Sequence, residues 1–301
     1  NKGLTEPNPA VGAVVVAQDT VIGSGSHLGA GSPHAEVLAI ATCPRQALEH
    51  ATLYVTLEPC CHYGRTPPCT DLIIDSGIKQ VYFAHFDPNP QVAGQGQTRL
   101  QQAGVECIYY PIAAITRFYR YYDYWQQQQR PWLTAKLAMT HNGMIAGMNR
   151  ERVHITGEEA NRLTHQQRLQ HSAILTTVNT IIADDPQLNV RLHNEVVAKP
   201  VWILDKDLKF PLTAMVMQTA KKVVLLHAVK DKKRIREYED RGISCLYVGC
   251  QGAHLDLAQV LAQAGAHGLH SLWLECGGRA LHSFLIQRLT QELWLYVADH
   301  A

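Results

Sequence analysis

Apolar residues along the chain fall into short runs that alternate between a two-residue and a near-four-residue period. Ala13-Val14-Val15-Val16-Ala17 predicts a buried strand and Val21-Ile22-Gly23-Ser24-Gly25 a second, joined by a turn at Asp19-Thr20. A glycine-rich loop then ends at Pro33-His34. From Ala35 to Ala41 the apolar residues Val37, Leu38, Ile40 and Ala41 recur at helical spacing, which puts His34 at a helix entry and Glu36 in its first turn. Thr52 to Leu57 predicts a strand whose end delivers Glu58-Pro59-Cys60. Cys69 to Asp75 predicts a helix stopped by Gly77, and Val81 to Ala84 a strand that runs into the turn Asp87-Pro88-Asn89-Pro90. A helix near Gln97 to Ala103 and a strand from Val105 to Tyr109 complete an order ββαβαβαβ. That order predicts a three-layer α/β domain over residues 1–116.

The pattern then changes. Phe118 to Trp125 is aromatic-rich, and four glutamines lead to Arg130-Pro131, which predicts a helix and then a linker over 117–131. A second α/β domain is expected over 132–301. Its strands are read at Leu133 to Thr140, Ser172 to Thr177, Val201 to Asp205, Val223 to Leu226, Leu272 to Glu275 and Leu293 to Val297. Its helices are read at Glu158 to Gln170, with Thr156 as candidate N-cap, Leu255 to Ala264 and Ala280 to Leu289. The chain opens at Asn1 without a Met and closes on a strand, so this second domain is expected to be incomplete at its C-terminus.

Composition narrows the classes. The 301 residues suit two domains, and 46 % apolar with 18 % charged residues is ordinary globular material. Lys+Arg 27 against Asp+Glu 26 leaves a net charge of +1, which argues against a strongly basic nucleic-acid-binding face. No apolar run approaches the roughly 20 residues of a membrane span. Of the eight cysteines only 60, 61 and 69 are closely spaced, unlike a secreted disulfide framework, so a cytoplasmic setting is expected.

The chemistry lies in His34-Ala35-Glu36 and in Pro59-Cys60 followed by Cys69. One imidazole and two thiolates with a fourth position left open are what a catalytic zinc site needs. A carboxylate two residues from the His is close enough to move protons without joining the metal. His-x-Glu with Pro-Cys and a later Cys is the zinc nucleobase-deaminase pattern, although here eight residues separate the two cysteines where two are usual. Cys61 and His62 are adjacent alternative ligands, with Cys60 preferred because it directly follows Pro59. Zinc lowers the pKa of water toward roughly 7, and Glu36 would pass the proton to the ring nitrogen and the departing ammonia. In the second half, Asp184-Asp185-Pro186 reads as a turn. Gly277-Gly278 at a helix start could bring backbone N–H groups to a phosphate.

Several longer strings carry a resemblance. Pro7-Asn8-Pro9-Ala10-Val11-Gly12, Thr56-Leu57-Glu58-Pro59-Cys60, His62-Tyr63-Gly64-Arg65-Thr66-Pro67-Pro68-Cys69 and Asp87-Pro88-Asn89-Pro90-Gln91-Val92-Ala93-Gly94 resemble the bifunctional riboflavin-biosynthesis deaminase/reductase. Lys136-Leu137-Ala138, the stretch Thr180 to Arg191 and Glu275-Cys276-Gly277-Gly278 resemble its reductase half. The resemblance covers nearly the whole chain. It implies a cytidine-deaminase-like domain followed by a dihydrofolate-reductase-like domain. The first would remove the 2-amino group of 2,5-diamino-6-ribosylamino-4(3H)-pyrimidinone 5′-phosphate, and the second would use NADPH to reduce ribosyl to ribityl. Carried onto this chain, it makes His34, Cys60 and Cys69 the zinc ligands, Glu36 the catalytic proton carrier and Asn8 a substrate residue. Ala138, Thr180, Asp184 and the run Gly277, Gly278, Arg279, Ala280, Leu281, His282 and Ser283 fall at NADP positions. Arg168, Leu188, Arg191 and Glu275 fall at positions for the phosphorylated pyrimidine substrate.

The chain also departs from that family. The family's Asp in Ser-Leu-Asp-Gly is Asn142 here, and its substrate Ser and cofactor-side Trp are Arg152 and His154. Those two residues are carried over as substrate and cofactor positions, and the changes define the runner-up reading: a deaminase with a catalytically degenerate reductase-like domain. A small-molecule substrate is expected, with no nucleic acid and no membrane, and with room for a homo-oligomer.

Overall fold

The computed structural model describes residues 3–63, 67–90, 92–144 and 157–298. The chain forms two compact units, Asn1–Gln128 and Gln129–Ala301. In the first, strands β1 (Gly12–Ala17) and β2 (Thr20–Ser26) form a hairpin. Gln18 and Asp19 both take positive φ at its turn. Helices α1 (Ala35–Ala41) and α2 (Arg45–Leu48) follow, then β3 (Thr52–Val55), α3 (Cys69–Ser76), β4 (Gln80–Phe83), α4 (Gln95–Gln102), β5 (Glu106–Tyr109) and α5 (Ala113–Gln128). The strand order is β2-β1-β3-β4-β5, with β1 antiparallel to both neighbours and β3, β4 and β5 parallel.

Alternation along these strands decides the packing. Ala13, Val15, Leu53, Val55, Val81 and Phe83 point to one face, where they close a core with Ala35, Ala39 and Ile40 of α1, Ile73 of α3 and Leu100 of α4. The Val, Leu, Ile and Phe side chains among them stabilise the fold by about 1.5–3 kcal/mol each when fully buried. Gly25 is required by the close approach of β2 to α1: a Cβ there would lie 2.3 Å from the Ala35 carbonyl oxygen. Of the stretch 117–131, residues through Gln128 lie in α5, a helix of the first unit. Tyr119 and Tyr122 of α5 pack on Leu57 just beyond β3.

In the second unit, β6 (Trp132–Thr140) leads to α6 (Glu158–Gln170), β7 (Ala173–Thr177) and α7 (Val178–Asp184). The short hairpin β8 (Val190–Leu192) and β9 (Glu195–Val197) precedes β10 (Pro200–Leu204), α8 (Val216–Thr219), β11 (Lys222–His227), α9 (Lys232–Glu239) and β12 (Ser244–Tyr247). A second small hairpin, β13 (Cys250–Gln251) and β14 (His254–Leu255), precedes α10 (Leu257–Ala266), β15 (Ser271–Glu275), α11 (Gly278–Ile286) and β16 (Glu292–Ala298). The main sheet has the order β12-β11-β10-β7-β15-β6-β16, and all its described pairings are parallel. Its central strands are near-continuous apolar runs because both faces are covered, by one core under α10 and α11 and another against Phe210, Val216 and Tyr238.

Helix α9, unmarked by the apolar pattern, is held by its ends instead. Asp231 caps it by accepting from Lys233 and Arg234 N–H, and its one buried residue is Tyr238. Helix α6 starts at Gly157, whereas Thr156 lies outside the described residues. No helix among the described residues is long and apolar enough to cross a membrane.

Candidate active sites

In the first unit two helix starts and a strand end converge. Pro33 precedes α1 and holds the chain extended, so His34 caps the helix by backbone only and its imidazole is left for other work. Pro68 does the same for α3, whose first residue is Cys69. The loop after β3 supplies Cys60. Helix α4 meets that loop so closely that Gly96 could carry no Cβ, which would sit 2.1 Å from the Pro59 carbonyl oxygen.

The ligand atoms meet. His34 Nδ1 lies 3.2 Å from Cys69 Sγ and 3.6 Å from Cys60 Sγ, and the three donor atoms lie within 4.8 Å of one another. The Cys69 backbone N–H donates to Cys60 Sγ at 3.3 Å, so the positive end of α3 faces that sulfur. Hydrogen bonds from Cys69 and His34 pull the Cys60 thiol down to about 4 against the effect of burial. Cys69 is pushed up because it keeps the proton the two sulfurs share. His34 is raised, chiefly by its hydrogen bond with Cys60. One imidazole and two sulfurs, one already favouring the thiolate, form a donor set that fits zinc. Cys61, the alternative ligand, instead turns its Sγ toward Gln95 Oε1 at 3.9 Å, and His62 is exposed.

Glu36 is 4 % exposed. Burial lifts its carboxyl to about 7, where it can both accept and release a proton near neutral pH. A cavity of about 480 Å³ opens beside it, lined by Asn8, His27, His34, Glu36 and Cys60 among others. Asn8, expected as a substrate residue, is therefore brought to the ligands, with its Nδ2 3.1 Å from His27 Nε2. Sequence reasoning missed His27, Asp87, Tyr122, Trp125 and Gln126, which also line this cavity. Asp87 reads in the sequence as a turn residue, and Tyr122, Trp125 and Gln126 fall within the stretch 117–131 expected to be a helix and linker, which the structure shows to be α5 as far as Gln128. An aromatic-rich run followed by glutamines does not say what those side chains face.

In the second unit the parallel sheet brings the C-terminal ends of β6, β15 and β7 side by side. Ligands of open parallel α/β sheets bind at such edges. Ala138 lies near the end of β6, Thr180 in the first turn of α7 after β7, and Gly277 to Ser283 at the turn from β15 into α11. Gly277 caps α11 without a side-chain bond, and nothing lies within 4 Å of where its Cβ would be. The start of α11 therefore has room for a phosphate, which is the fit a dinucleotide requires. Thr180 is engaged with Thr177, whose Oγ1 accepts its N–H at 3.2 Å. Asp184 is exposed at the far end of α7.

The substrate candidates gather around Asn189. Arg168 is buried, donating to both Glu275 oxygens at 2.6 and 2.9 Å and to the Asn189 carbonyl at 2.8 Å. Arg191 is exposed and donates to Asn189 Oδ1 at 2.6 Å and to Gln187 Oε1 at 2.9 Å. Burial and the charges of Arg168 and Arg191 push His165 down to about 4. Leu188 is 2 % exposed and its side chain belongs to the core, so only its backbone is available. Two contributors were missed. Trp273 Nε1 donates to Glu275 Oε1 at 2.9 Å, and Lys136 holds its Nζ 5.3 Å from the Tyr296 ring centroid. Asn142 accepts from Thr140 Oγ1 at 2.5 Å, while Arg152 and His154 lie outside the described residues.

Comparisons with known proteins agree with both halves. The cytidine and deoxycytidylate deaminase zinc-binding region matches residues 1–85, and the RibD C-terminal domain matches residues 131–299. The riboflavin biosynthesis protein RibD of Actinobacillus pleuropneumoniae is 39 % identical over 303 residues, covering 98 % of this chain and 79 % of that protein. That of Aquifex aeolicus is 37 % identical, covering 99 % of this chain and 82 % of its own length. A solved Acinetobacter baumannii RibD superposes with a TM-score of 0.88 at 34 % identity, over 99 % of this chain and 82 % of the other. The Thermotoga maritima diaminohydroxyphosphoribosylaminopyrimidine deaminase/5-amino-6-(5-phosphoribosylamino)uracil reductase gives a TM-score of 0.82 at 31 % identity, over 95 % of this chain and 79 % of the other. With both halves matched in one chain and identity sustained from end to end, the chain belongs to the RibD family of bifunctional riboflavin-biosynthesis proteins.

Proposed function

We propose that the chain catalyses two steps of riboflavin biosynthesis, deamination in the first unit and NADPH-dependent reduction in the second. The substrate is 2,5-diamino-6-ribosylamino-4(3H)-pyrimidinone 5′-phosphate. Its 2-amino group leaves as ammonia, and the ribosyl group is then reduced to ribityl. The observation that carries this reading is the convergence of His34, Cys60 and Cys69 beside the buried Glu36.

His34, Cys60 and Cys69 would hold the zinc, which when bound supplies a Lewis acid that makes water nucleophilic near neutral pH. Glu36 accepts one proton of the attacking water and passes it to the ring nitrogen, then carries the second from the resulting hydroxyl to the amine, which leaves as ammonia. Asn8 helps hold the pyrimidine in the cavity. In the second unit, the start of α11, Ala138, Thr180 and Asp184 would hold NADPH, the hydride donor when bound. Arg191 would meet the substrate phosphate as a charged clamp, while Arg168 and Glu275 fix the local charge pattern. Roles for Arg152 and His154 stay with the family resemblance. The RibD C-terminal domain match over 131–299 favours a working reductase over a degenerate one.

We place the enzyme in the cytoplasm, in keeping with eight unpaired cysteines, with room left for a homo-oligomer that light scattering would read. The test is direct. Zinc-loaded protein given the diaminopyrimidine phosphate should release ammonia, and its product should then drive NADPH oxidation. Ammonia release without NADPH oxidation would leave the deaminase alone; the absence of both would overturn the reading.

A further inference from the structure

Helix α9 carries its charges against its own dipole. Aligned peptide groups make a helix start positive and its end negative, so acids are favoured in the first turn and bases in the last. The first turn of α9 is Lys232-Lys233-Arg234, while Glu237, Glu239 and the C-capping Asp240 stand at its end, with Arg236 the one base there. Lys230 precedes the helix. Against these five cations the segment 230–236 has one acid, Asp231, whose Oδ1 accepts the Lys233 and Arg234 N–H groups at 2.9 and 3.4 Å. Nearby, Lys206 and Lys209 share Asp207 at 4.0 and 3.2 Å. The five cations of 230–236 are all exposed, and among the described residues none has a carboxylate within ion-pair distance. The whole chain carries a net charge of only +1, so this is a local excess. A local arrangement that works against its own element is expected where function holds the residues in place.

Topology places that excess. Leu226 of β11 is level with Leu204 of β10, and Leu204 with Thr177 of β7. The end of β11 thus lies on the same sheet edge as the start of α7, two strand spacings or about 10 Å away. The chain passes from β11 through Lys230 into α9, which brings the lysines to that edge. Because β11 and β12 are parallel, α9 must run back across the sheet, and its acidic end is carried to the opposite edge. The helix is pinned there: Arg234 Nη2 donates to the Leu208 carbonyl at 2.8 Å, and the Tyr238 hydroxyl reaches the Leu208 and Phe210 carbonyls at 2.8 and 3.1 Å. Ten ångströms is about one Debye length at 0.1 M ionic strength. Charges at that range pull on an approaching anion without touching it once it is seated.

We propose that the lysine-rich start of α9 is an electrostatic guide for NADPH, which carries a pyrophosphate and a 2′-phosphate. It speeds the arrival of this polyanion at the edge of the second unit's sheet and makes no contact with the bound cofactor. The inference rests on the NADPH-dependent reduction reading above. Steering of this kind raises association rates by about 10–10³-fold and fades with salt.

The test is stopped-flow binding of NADPH to the full chain, followed by quenching of tryptophan fluorescence. Lys232→Glu combined with Lys233→Glu should slow association about tenfold or more at low ionic strength and leave dissociation nearly unchanged. The difference should vanish near 1 M salt, where the Debye length is about 3 Å. The same variant puts acids at the helix start, so its unfolding midpoint should hold or rise. Lys230→Gln lies outside the helix and should slow association by about two- to threefold under the same conditions. Unchanged association at low salt in both variants, or a change confined to dissociation, overturns the guide. Slowing that persists at high salt marks a direct contact and overturns it as well. If the unaltered protein does not bind NADPH at all, the reduction reading itself fails, an outcome distinct from the others.

Discussion

Glu36 and Glu275 are both buried carboxylates beside the chemistry of their units, yet they are held in opposite states. Burial is the largest influence on each, and it raises both. Around Glu36 a backbone hydrogen bond and the weaker help of His34 offset it only in part, and the nearby Cys60 thiolate adds to the rise, so without metal the group settles at about 7. Around Glu275 the charge and paired hydrogen bonds of Arg168, with Lys136 and Trp273, overcome burial and hold it below the usual carboxylate range. The first is suited to carry a proton, as proposed above, and the second is a fixed negative charge. Burial alone does not predict the role of an acid; the partner does.

The contrast is most sharply broken by removing zinc. Chelation should take ammonia release below detection while NADPH oxidation with the deaminated substrate continues unchanged, and readdition of zinc should restore the first. Loss of both activities together would show that the two sites are not independent. Next, Glu36→Gln should retain zinc and lower deamination by at least roughly 10²–10⁴-fold; ammonia release and metal content measured on one preparation decide it.

Arg168→Met tests the other acid. It strands Glu275 without its main partner and should cost about 3–5 kcal/mol of stability, read by denaturant unfolding. The double variant Arg168→Met with Glu275→Met should recover much of that without recovering reduction.

A subtler test is pH. Glu275 has its folded pKa lowered, so its contribution to stability is present above about 4.5, its ordinary value, and is lost as pH falls through the folded value. Glu36 has its folded pKa raised from 4.5 to about 7, so in zinc-free protein its neutral form favours folding below 4.5 and that contribution is lost as pH rises to about 7. Unfolding curves across pH should show these opposite slopes, and Gln at either position should flatten only its own. The smallest effect is expected from Cys61→Ser. Its sulfur faces Gln95, so zinc stoichiometry should not change, and a drop would return Cys61 to the ligand set.

Much of this was legible in the chain itself. The strand and helix runs of the first unit were readable because each buries one face at a fixed period. The candidate ligand set was readable because His34, Cys60 and Cys69 stand beside prolines that end strands or start helices. In the second unit the apolar central strands were equally plain, while α9 and the small hairpins were not, being polar elements held by caps and neighbours.

Sequence by itself supplied the order of the apolar elements, a candidate donor set and a candidate proton carrier, since local periodicity and residue chemistry need no distant partner to be read. Only the tertiary structure decided which acids are free to act. Glu58 is consumed by the start of α4, Glu275 is locked by Arg168 from 107 residues away in sequence, and Asp87 is oriented by Tyr122 from 35 residues away. The state of a buried charge depends on what lies within a few ångströms, and those neighbours come from elements the local pattern cannot pair.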